Sequence, residues 1–381
     1  MENNIGILWL GDIHMGIAHT PHLYEELMAI VPKTIEEKGQ NIKAVIIVGD
    51  YFEKELVGSH KYYATKFFAE LARICNEKGL ALRMVKGTPS HDHNQLNGFF
   101  ANTNTLLPDL NFKIINTVET ENLFGLDILY IPEEQLKDQD EYYAPFKVNK
   151  YDVIAGHGTW DFAPKAAFQL GNNDPDKLAS PVFLTKEWDH VIPKGFTVFG
   201  HIHSGNWYKN KYFYTSSFSR WKFGEEERKG FLYSETNLET KEYTVEFIEN
   251  TLAPTYITES FENVIGPGGL KDQSLFDIRR KLKEMVDPKS VNKITINVTD
   301  LTPNEITLLQ KAAKTLDNVN LKIESKKLEE VLLEEQAENE AQDYVIHPEK
   351  HGMSHEDVII KYALEVNGKE ILMSDLTNAL E

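Results

Sequence analysis

The sequence predicts an α/β fold, a layered sandwich with a mostly parallel core and antiparallel edges. Two observations predict it. Short apolar runs alternate with amphipathic helical patterns through the first half of the chain, which is typical of parallel sheets covered by helices. Residues 208–247 instead show the short alternating runs of hairpins. Hydrophobic residues make up 41% of the 381 residues, so the chain can bury large cores and form two or three domains.

Each element of the first half follows from its local pattern. Amphipathic helices are predicted at residues 21–38 and 60–78, because each carries a helical apolar stripe and is followed by a glycine, Gly39 or Gly79. Buried strands are predicted where short apolar runs lie between turn signals, at residues 5–10, 44–48, 80–85, 112–115, 126–131, 152–155 and 197–199. Hairpin strands are predicted at residues 212–214, 230–233 and 243–247.

The pattern changes near Pro254, so we predict further domains after residues 1–252. Helices at 276–286 and 304–316 with strands at 293–298 and 320–324 predict a small α+β domain over residues 253–325. Residues 326–355 are predicted to form an acidic, Glu- and Leu-rich helix with a linker, and residues 356–381 a helical tail that binds a partner.

Composition limits the class of protein. A net charge of −19 argues against a protein that coats nucleic acid by bulk electrostatics, but not against local binding of phosphates. The single cysteine, Cys75, allows no disulfide within the chain, which favours a reducing, cytoplasmic compartment. No run of 18 apolar residues is present, so neither a membrane span nor a signal peptide is expected.

Five short motifs rich in Asp and His follow or adjoin the apolar runs. Each residue alone has an ordinary explanation, such as a helix cap, a turn or a loop histidine. Together, at the strand ends of an α/β sheet, they predict a ligand site, and their side chains suit a pair of divalent transition ions. The residues are Asp12 and His14, Asp50, His91 and Asp92, His157, and His201 and His203.

The motif order DxH, GD, HD, GH and GHxH resembles the calcineurin-like metallophosphoesterase superfamily over about residues 5–250. The resemblance implies an α/β/β/α sandwich and two metal ions that hydrolyse phosphate esters. Asp50 would bridge both ions, and His91, oriented by Asp92, would face the scissile phosphate. Donors without thiolate favour Mn²⁺, Fe or Zn²⁺, and we expect Mn²⁺. One ion would be held by Asp12, His14, Asp50 and His203, the other by Asp50, His157 and His201.

One motif departs from that family, because Ser90 stands where an Asn amide is expected to complete the second ion. A hydroxyl is a poorer metal donor than an amide oxygen. Ser90 binds the ion directly, binds it through water, or leaves the second ion weakly held. His93 and Asn94 are close enough in sequence to substitute, and an inactive site is a further alternative.

Residues 214–231 resemble the stretch that follows the last metal motif in SbcD-type DNA repair nucleases, with Ser216 in place of the usual Gly. The resemblance implies an exo/endonuclease subunit that acts at DNA ends in repair or recombination, in bacteria or phage. The small domain would cap DNA, and the tail would bind an SbcC-type coiled-coil ATPase. Basic residues among aromatic ones are candidates for contacting DNA, although an ordinary aromatic hairpin explains them equally well: Lys209, Lys211, Arg220 and Lys222.

Two alternatives stay open. A small-molecule or cyclic-nucleotide phosphodiesterase of the same superfamily would have the same motifs, and a metal-poor scaffold could retain only the recruitment of the ATPase. The appended tail favours the nuclease. A homodimer is expected through residues 60–78 and 98–100, although a packed core explains their aromatic side chains equally well.

Overall fold

The computed structural model describes residues 4–17, 19–163, 180–222 and 224–262, with short segments at 265–266, 269–270, 290–297, 311 and 319–324. It shows a mixed α/β fold with two parallel-rich sheets and helices, which confirms the predicted fold class at that level. The chain divides into two compact units. The first holds residues 1–258, 282–293 and 316–320, and the second holds the remainder.

The strands follow the predicted apolar runs closely in the first unit. They are β1 (Asn4–Leu10), β2 (Ile42–Val48), β3 (Ala81–Val85), β4 (Phe112–Ile115), β5 (Glu119–Leu123), β6 (Leu126–Ile131), β7 (Val153–His157), β8 (Thr159–Trp160), β9 (Val182–Phe183), β10 (Phe196–Gly200), β11 (Trp207–Tyr208), β12 (Tyr212–Tyr214), β13 (Gly230–Asn237) and β14 (Tyr243–Glu249). The later strands are β15 (Thr255–Glu262), β16 (Ile265–Gly266), β17 (Gly269–Leu270), β18 (Ser290–Asn297) and β19 (Val319–Glu324).

Two long helices and several single turns connect these strands. Helix α2 ends where predicted, because Gly79 adopts a left-handed conformation with φ of 65° and its N–H bonds the Asn76 carbonyl. The described α-helices are α1 (Thr20–Lys38), α2 (Gly58–Lys78), α3 (Pro89–Asp92), α4 (Leu96–Phe100), α5 (Thr103–Leu106), α6 (Gln139–Tyr143) and α7 (Thr185–Trp188), and short 3-10 helices lie at Gly39–Asn41 and Ala144–Val148. Among the described residues, none of the helices combines the length and the apolar character that crossing a membrane requires.

The two large sheets each contain a parallel centre. The first has the order β14-β13-β1-β2-β3-β4, with β1 to β4 parallel and β13 and β14 antiparallel. The second has the order β11-β12-β10-β7-β6-β5, in which β12, β10, β7 and β6 are parallel. The parallel centres explain why these strands read as continuous apolar runs, since both faces are buried.

Strand alternation builds a core shared by the two sheets. Along β1, Ile7 and Trp9 belong to a cluster that also contains Val153 and Val198 of the second sheet. Their neighbour Leu8 faces the other way, into a cluster formed with α1 and α2. Each such apolar side chain, when fully buried, contributes roughly 1.5–3 kcal/mol to the free energy of folding. The shared core fixes the strand ends of both sheets relative to each other.

Two strands of the second sheet were not predicted, the short β11 and the longer β5. β5 has the sequence ETENL, which lacks β-branched apolar residues, and its side chains alternate between half-buried and exposed up to Leu123, which is buried. It forms because a two-residue turn at Phe124 and Gly125, both with positive φ, folds it back on β6. The turn, rather than strand propensity, determines this element.

The aromatic residues considered for a dimer contact are largely internal. Phe67 and Phe68 of α2 and Phe100 of α4 are buried in the cluster between the first sheet and its helices. Their burial is explained by the core of a single chain. The homodimer therefore stays a prediction.

Part of the second predicted domain lies within the described residues. β15, β18 and β19 form a three-stranded sheet, and β16 pairs with β17. β18 and β19 correspond to the strands predicted at 293–298 and 320–324. The predicted helix 276–286 and the predicted segments 326–355 and 356–381 lie outside the described residues. Of helix 304–316 only Lys311 is described, and it is helical.

A buried ion pair links the two large sheets, and its loss is expected to destabilise the fold. Arg83 of β3, 2% exposed, donates to both carboxylate oxygens of Glu121 on β5, at 2.9 and 2.7 Å. Glu121→Ala leaves this guanidinium with less than its full set of partners. We expect the free energy of unfolding to fall by about 3 kcal/mol in urea titrations.

The matched control for that variant is Glu77→Ala, which breaks the exposed pair between Glu77 and Arg73 on helix α2. Exposed pairs contribute only about 0–1 kcal/mol. Equal losses of stability in the two variants would contradict a structural role for the Arg83–Glu121 pair.

Candidate metal centre

The predicted motif residues meet at the carboxyl ends of parallel strands from both sheets. This edge is where α/β folds build ligand sites. Most of the side chains involved are buried. The predicted residues are Asp12 and His14 after β1, Asp50 after β2, His91 and Asp92 after β3, His157 at the end of β7, and His201 and His203 after β10. Two residues that were not predicted join them, Thr88 after β3 and Glu133 after β6.

The backbone is strained at four of these residues. Asp12, His14, Asp50 and His201 have φ values of 48°, 56°, 44° and 92°. Positive φ is uncommon for residues other than glycine, and such strained positions cluster at functional sites. The strain therefore marks the same residues that the motifs indicate.

A first group of donors consists of Asp12, His14 and His203. The Nε2 atoms of His14 and His203 lie 3.0 Å apart. Oδ1 of Asp12 lies 4.0 Å from the first of these atoms and 3.9 Å from the second. Two imidazoles and a carboxylate thus face one small volume.

A second group adjoins the first. Nε2 of His157 lies 3.2 Å from Oδ2 of Asp50 and 3.9 Å from Oδ1 of Asp12. Nδ1 of His201 lies 3.2 Å from Oε2 of Glu133. Donor atoms about 3.0–3.4 Å apart are what a single ion with bonds of about 2.1 Å requires. Asp50 lies near His157 in one set of possible ligands and near His14 in another, so it stands between the two groups.

Outer partners orient the imidazoles. Glu53 Oε2 lies 2.7 Å from His14 Nδ1, and Glu225 Oε1 lies 3.3 Å from His203 Nδ1. His157 Nδ1 lies 2.8 Å from the Val48 carbonyl oxygen. Carboxylate and carbonyl partners of this kind fix the ring and the tautomer of histidines that bind metals. In all three residues Nε2 is left to face the cluster.

This arrangement fits a bound cation. With hydrogens on both Nδ1 atoms, the Nε2 atoms of His14 and His203 point lone pairs at each other across 3.0 Å. That contact is repulsive unless a cation lies between or beside them. Mixed imidazole and carboxylate donors without thiolate suit Mn²⁺, Fe or Zn²⁺.

The charges of the buried groups agree with this assignment. Burial raises the pKa of Asp50, but His157, His91 and His14 together lower it, so the net pKa lies well below its ordinary value. Burial likewise raises the pKa of Glu133, whereas His201 and His157 lower it to about 2. Burial lowers the pKa of His157, but Asp50, Asp12 and Glu133 raise it to about 10. The carboxylates are therefore held ionised, and the positive charge they attract is one that a metal ion would supply.

His91 lies on the open side of the cluster. Its side chain is 31% exposed, and its Nδ1 lies 2.8 Å from Asp50 Oδ2. Hydrogen bonding to Asp50 raises the pKa of His91, although partial burial opposes the rise. Asp92, predicted to orient His91, instead accepts a hydrogen bond from the backbone of Leu96. In the described part of the chain, the carboxylate that contacts the His91 ring is that of Asp50.

Ser90 does not occupy the position predicted for it. Pro89 begins the helical turn α3 directly after Thr88, and this turn leaves the Ser90 side chain exposed, as are His93 and Asn94. The hydroxyl that reaches the cluster belongs to Thr88. Its Oγ1 donates to Glu133 Oε2 at 3.0 Å and lies 3.3 Å from His157 Nε2.

Glu133 is the acidic residue of the centre that the motifs did not predict. It is fully buried and follows β6, as Asp50 follows β2. The signal that could have found it is an acidic pair, Glu133 and Glu134, after the buried run of β6 and Pro132. The strand-end argument that selected the other motifs applies to it unchanged.

The four basic residues predicted to contact DNA lie in two places. Lys209 and Lys211 flank the turn between β11 and β12 and pair with Asp189, at 3.8 and 3.2 Å. Lys222 is exposed and lies over the Trp221 ring, which itself lies 5.2 Å from the His14 ring. Arg220 donates to the Glu227 carbonyl. Arg220 and Lys222 flank a tryptophan that touches the metal cluster, whereas Lys209 and Lys211 do not.

No protein-family model matches the sequence, and no curated protein matches it. Solved structures similar to part of the chain include two crystal structures. One is the crystal structure of TT1561 of Thermus thermophilus, with 12% identity, a TM-score of 0.35, and coverage of 64% of this chain and 98% of that chain. Another crystal structure has 12% identity, a TM-score of 0.36, and coverage of 64% and 99%. Similarity at this level says nothing about function, which must be inferred from the geometry of the centre.

Proposed function

We propose that this chain is a metal-dependent phosphodiesterase of the calcineurin-like metallophosphoesterase superfamily, with that family's α/β/β/α sandwich and two divalent ions, preferably Mn²⁺. The observation that carries the proposal is the pair of adjoining donor groups with Asp50 between them. Asp12, His14 and His203 would hold one ion, His157 and His201 the other, and Asp50 both. When bound, two such ions polarise the phosphoryl oxygens and activate a water molecule for attack.

The chain's own groups supply binding, orientation and a proton. The carboxylates of Glu53 and Glu225 hold the rings of His14 and His203 in place. His91, on the exposed side with its Nδ1 at Asp50, would keep a proton on Nε2 and donate it to the departing oxygen. Proton donation of this kind contributes roughly 10²–10⁴-fold to the rate.

The proposed substrate is DNA, cut at its ends by exo- and endonuclease action in repair or recombination. The support is residues 214–231, whose resemblance to SbcD-type nucleases coincides with contacts to the centre. Within this stretch Glu225 contacts His203, Lys229 donates to the His203 carbonyl at 3.0 Å, and Trp221 packs on His14. The same proposal gives the chain an SbcC-type coiled-coil ATPase as partner, a homodimeric state, and a bacterial or phage-infected cytoplasm.

The test compares two substrates with purified protein and Mn²⁺: end-labelled linear double-stranded DNA and bis(p-nitrophenyl) phosphate. Degradation of the DNA that EDTA abolishes supports the nuclease. Hydrolysis of the chromogenic diester alone, unchanged when an SbcC-type ATPase is added, favours the small-molecule phosphodiesterase. Inactivity toward both substrates, together with the binding of fewer than two ions, would favour the metal-poor scaffold.

Removal of the exposed lysine beside the centre, Lys222, is expected to weaken DNA binding. Lys222→Ala removes one cation near the proposed path of the phosphates. We expect the affinity for DNA to fall and the slope of log affinity against log salt concentration to decrease in magnitude by about 1. Fluorescence anisotropy at several salt concentrations, in Ca²⁺ to prevent cleavage, measures both.

The control for that variant is Lys33→Ala, which removes an exposed lysine of helix α1 that pairs with Glu37. The two variants change the net charge equally. If both shift the affinity by the same factor, Lys222 has no specific place in binding and only bulk charge matters.

A further inference from the structure

The second group of donors contains a carboxylate that the metal motifs do not include. Glu133 is fully buried, and a buried carboxylate needs compensating partners. Its backbone N–H donates to the Lys86 carbonyl at 3.2 Å, which holds it at the end of β3. Ser180 donates to its Oε1 at 2.6 Å. These two hydrogen bonds fix the backbone and Oε1 of Glu133, and thereby also the position of its second carboxylate oxygen, Oε2.

That other oxygen, Oε2, faces three potential metal donors. It lies 3.0 Å from Thr88 Oγ1, 3.2 Å from His201 Nδ1 and 3.7 Å from His157 Nε2. The first two separations match those of donor atoms sharing one ion, and Glu133, His157 and His201 together form a possible ligand set.

The loop after β3 explains why such a ligand is needed. Ser90 is exposed, and the hydroxyl that reaches the cluster, that of Thr88, is neutral and a weak metal donor. Asp50, His157 and His201 would provide three protein ligands for the second ion, of which Asp50 is shared. A fourth, charged ligand would restore a full set of donors.

We propose that Glu133 is a direct ligand of the second metal ion, in place of the neutral donor that the loop after β3 lacks. This inference rests on the proposed two-ion function. It adds one negative charge to the second ion's ligand set, which favours ions that prefer oxygen donors, such as Mn²⁺. The hydroxyl of Thr88 then orients the Glu133 carboxylate.

Equilibrium dialysis against Mn²⁺ with elemental analysis tests this without any assay of activity. The wild type is expected to bind two ions. Glu133→Gln keeps the volume of the side chain and removes its charge. We expect the affinity for one ion to fall by more than about 100-fold, while the other ion binds with unchanged affinity. Glu134→Gln, the same change one residue on at a side chain that accepts from Tyr142, should bind two ions with unchanged affinity.

A comparison variant separates a ligand from a positioning residue. Glu225→Gln removes an outer partner of His203, a change that costs roughly 10- to 100-fold in metal affinity. A loss in Glu133→Gln no larger than in Glu225→Gln would overturn the ligand assignment and leave the two-ion proposal intact. A wild type that binds fewer than two ions would overturn both.

A structure of the wild type with Mn²⁺ tests the same inference without a variant. Anomalous scattering should place the second ion at about 2.0–2.3 Å from a Glu133 oxygen. Two ions present with both Glu133 oxygens beyond about 3.5 Å of them would show that Glu133 is not a ligand.

Discussion

Replacing Asp50 with asparagine is expected to reduce phosphodiester cleavage by about 10³-fold or more, because both proposed ions share this carboxylate. Polarisation by the ions lowers the activation barrier by several kcal/mol, and each 1.36 kcal/mol corresponds to a factor of ten in rate. The asparagine side chain has nearly the same shape, so the hydrogen bond from the Thr88 backbone N–H can persist. Rates with linear DNA and with bis(p-nitrophenyl) phosphate should fall together, because cleavage of either substrate needs both ions.

The matched control is Asp152→Asn, which makes the same change just before β7, at the opposite end of the second sheet from the centre. Asp152 pairs with Lys241, a contact remote from the cluster. This variant should retain the wild-type rate. Activity within tenfold of the wild type in Asp50→Asn would contradict the shared role of Asp50.

His91→Ala is expected to lower the rate on DNA by about 10²–10⁴-fold while the number of bound ions stays at two. The reason is that His91 faces the exposed side of the cluster and is proposed to donate a proton to the departing oxygen. A p-nitrophenolate leaves readily without a proton, whereas a sugar alkoxide does not. The loss on bis(p-nitrophenyl) phosphate should therefore be much smaller than the loss on DNA.

The metal count in this variant decides between two roles for His91. His91 also forms a possible ligand set with His14 and Asp50. Loss of an ion, or equal losses on the two substrates, would make His91 a ligand instead of a proton donor. His93→Ala, at an exposed residue two positions on, should behave as the wild type.

The sequence predicted the strands of the first unit because buried parallel strands are continuous apolar runs. β1, β2 and β3 are buried on both faces, so composition alone identifies them. β5 could not be found this way, because the turn at Phe124 and Gly125 places a polar segment at the sheet edge. Local propensity and tertiary pairing disagree there, and pairing determines the structure.

The sequence predicted those residues of the candidate site that directly follow a strand or lie two positions apart. Asp12, His14 and Asp50 follow their strands directly, so their meeting at one edge follows from the parallel sheets. The outer carboxylates Glu53 and Glu225 could not be assigned, because their contacts with histidines depend on how loops pack. The turn at Pro89 explains why Thr88 reaches the cluster and Ser90 does not, since it rotates Ser90 outward.

Electron paramagnetic resonance with Mn²⁺ shows whether two bound ions share Asp50. A carboxylate that bridges two Mn²⁺ ions couples their electron spins. With two equivalents of Mn²⁺ per chain, we expect the wild type to give the spectrum of a spin-coupled pair and Asp50→Asn to give that of isolated ions. A six-line spectrum of isolated Mn²⁺ in the wild type at every ratio of metal to protein would contradict it.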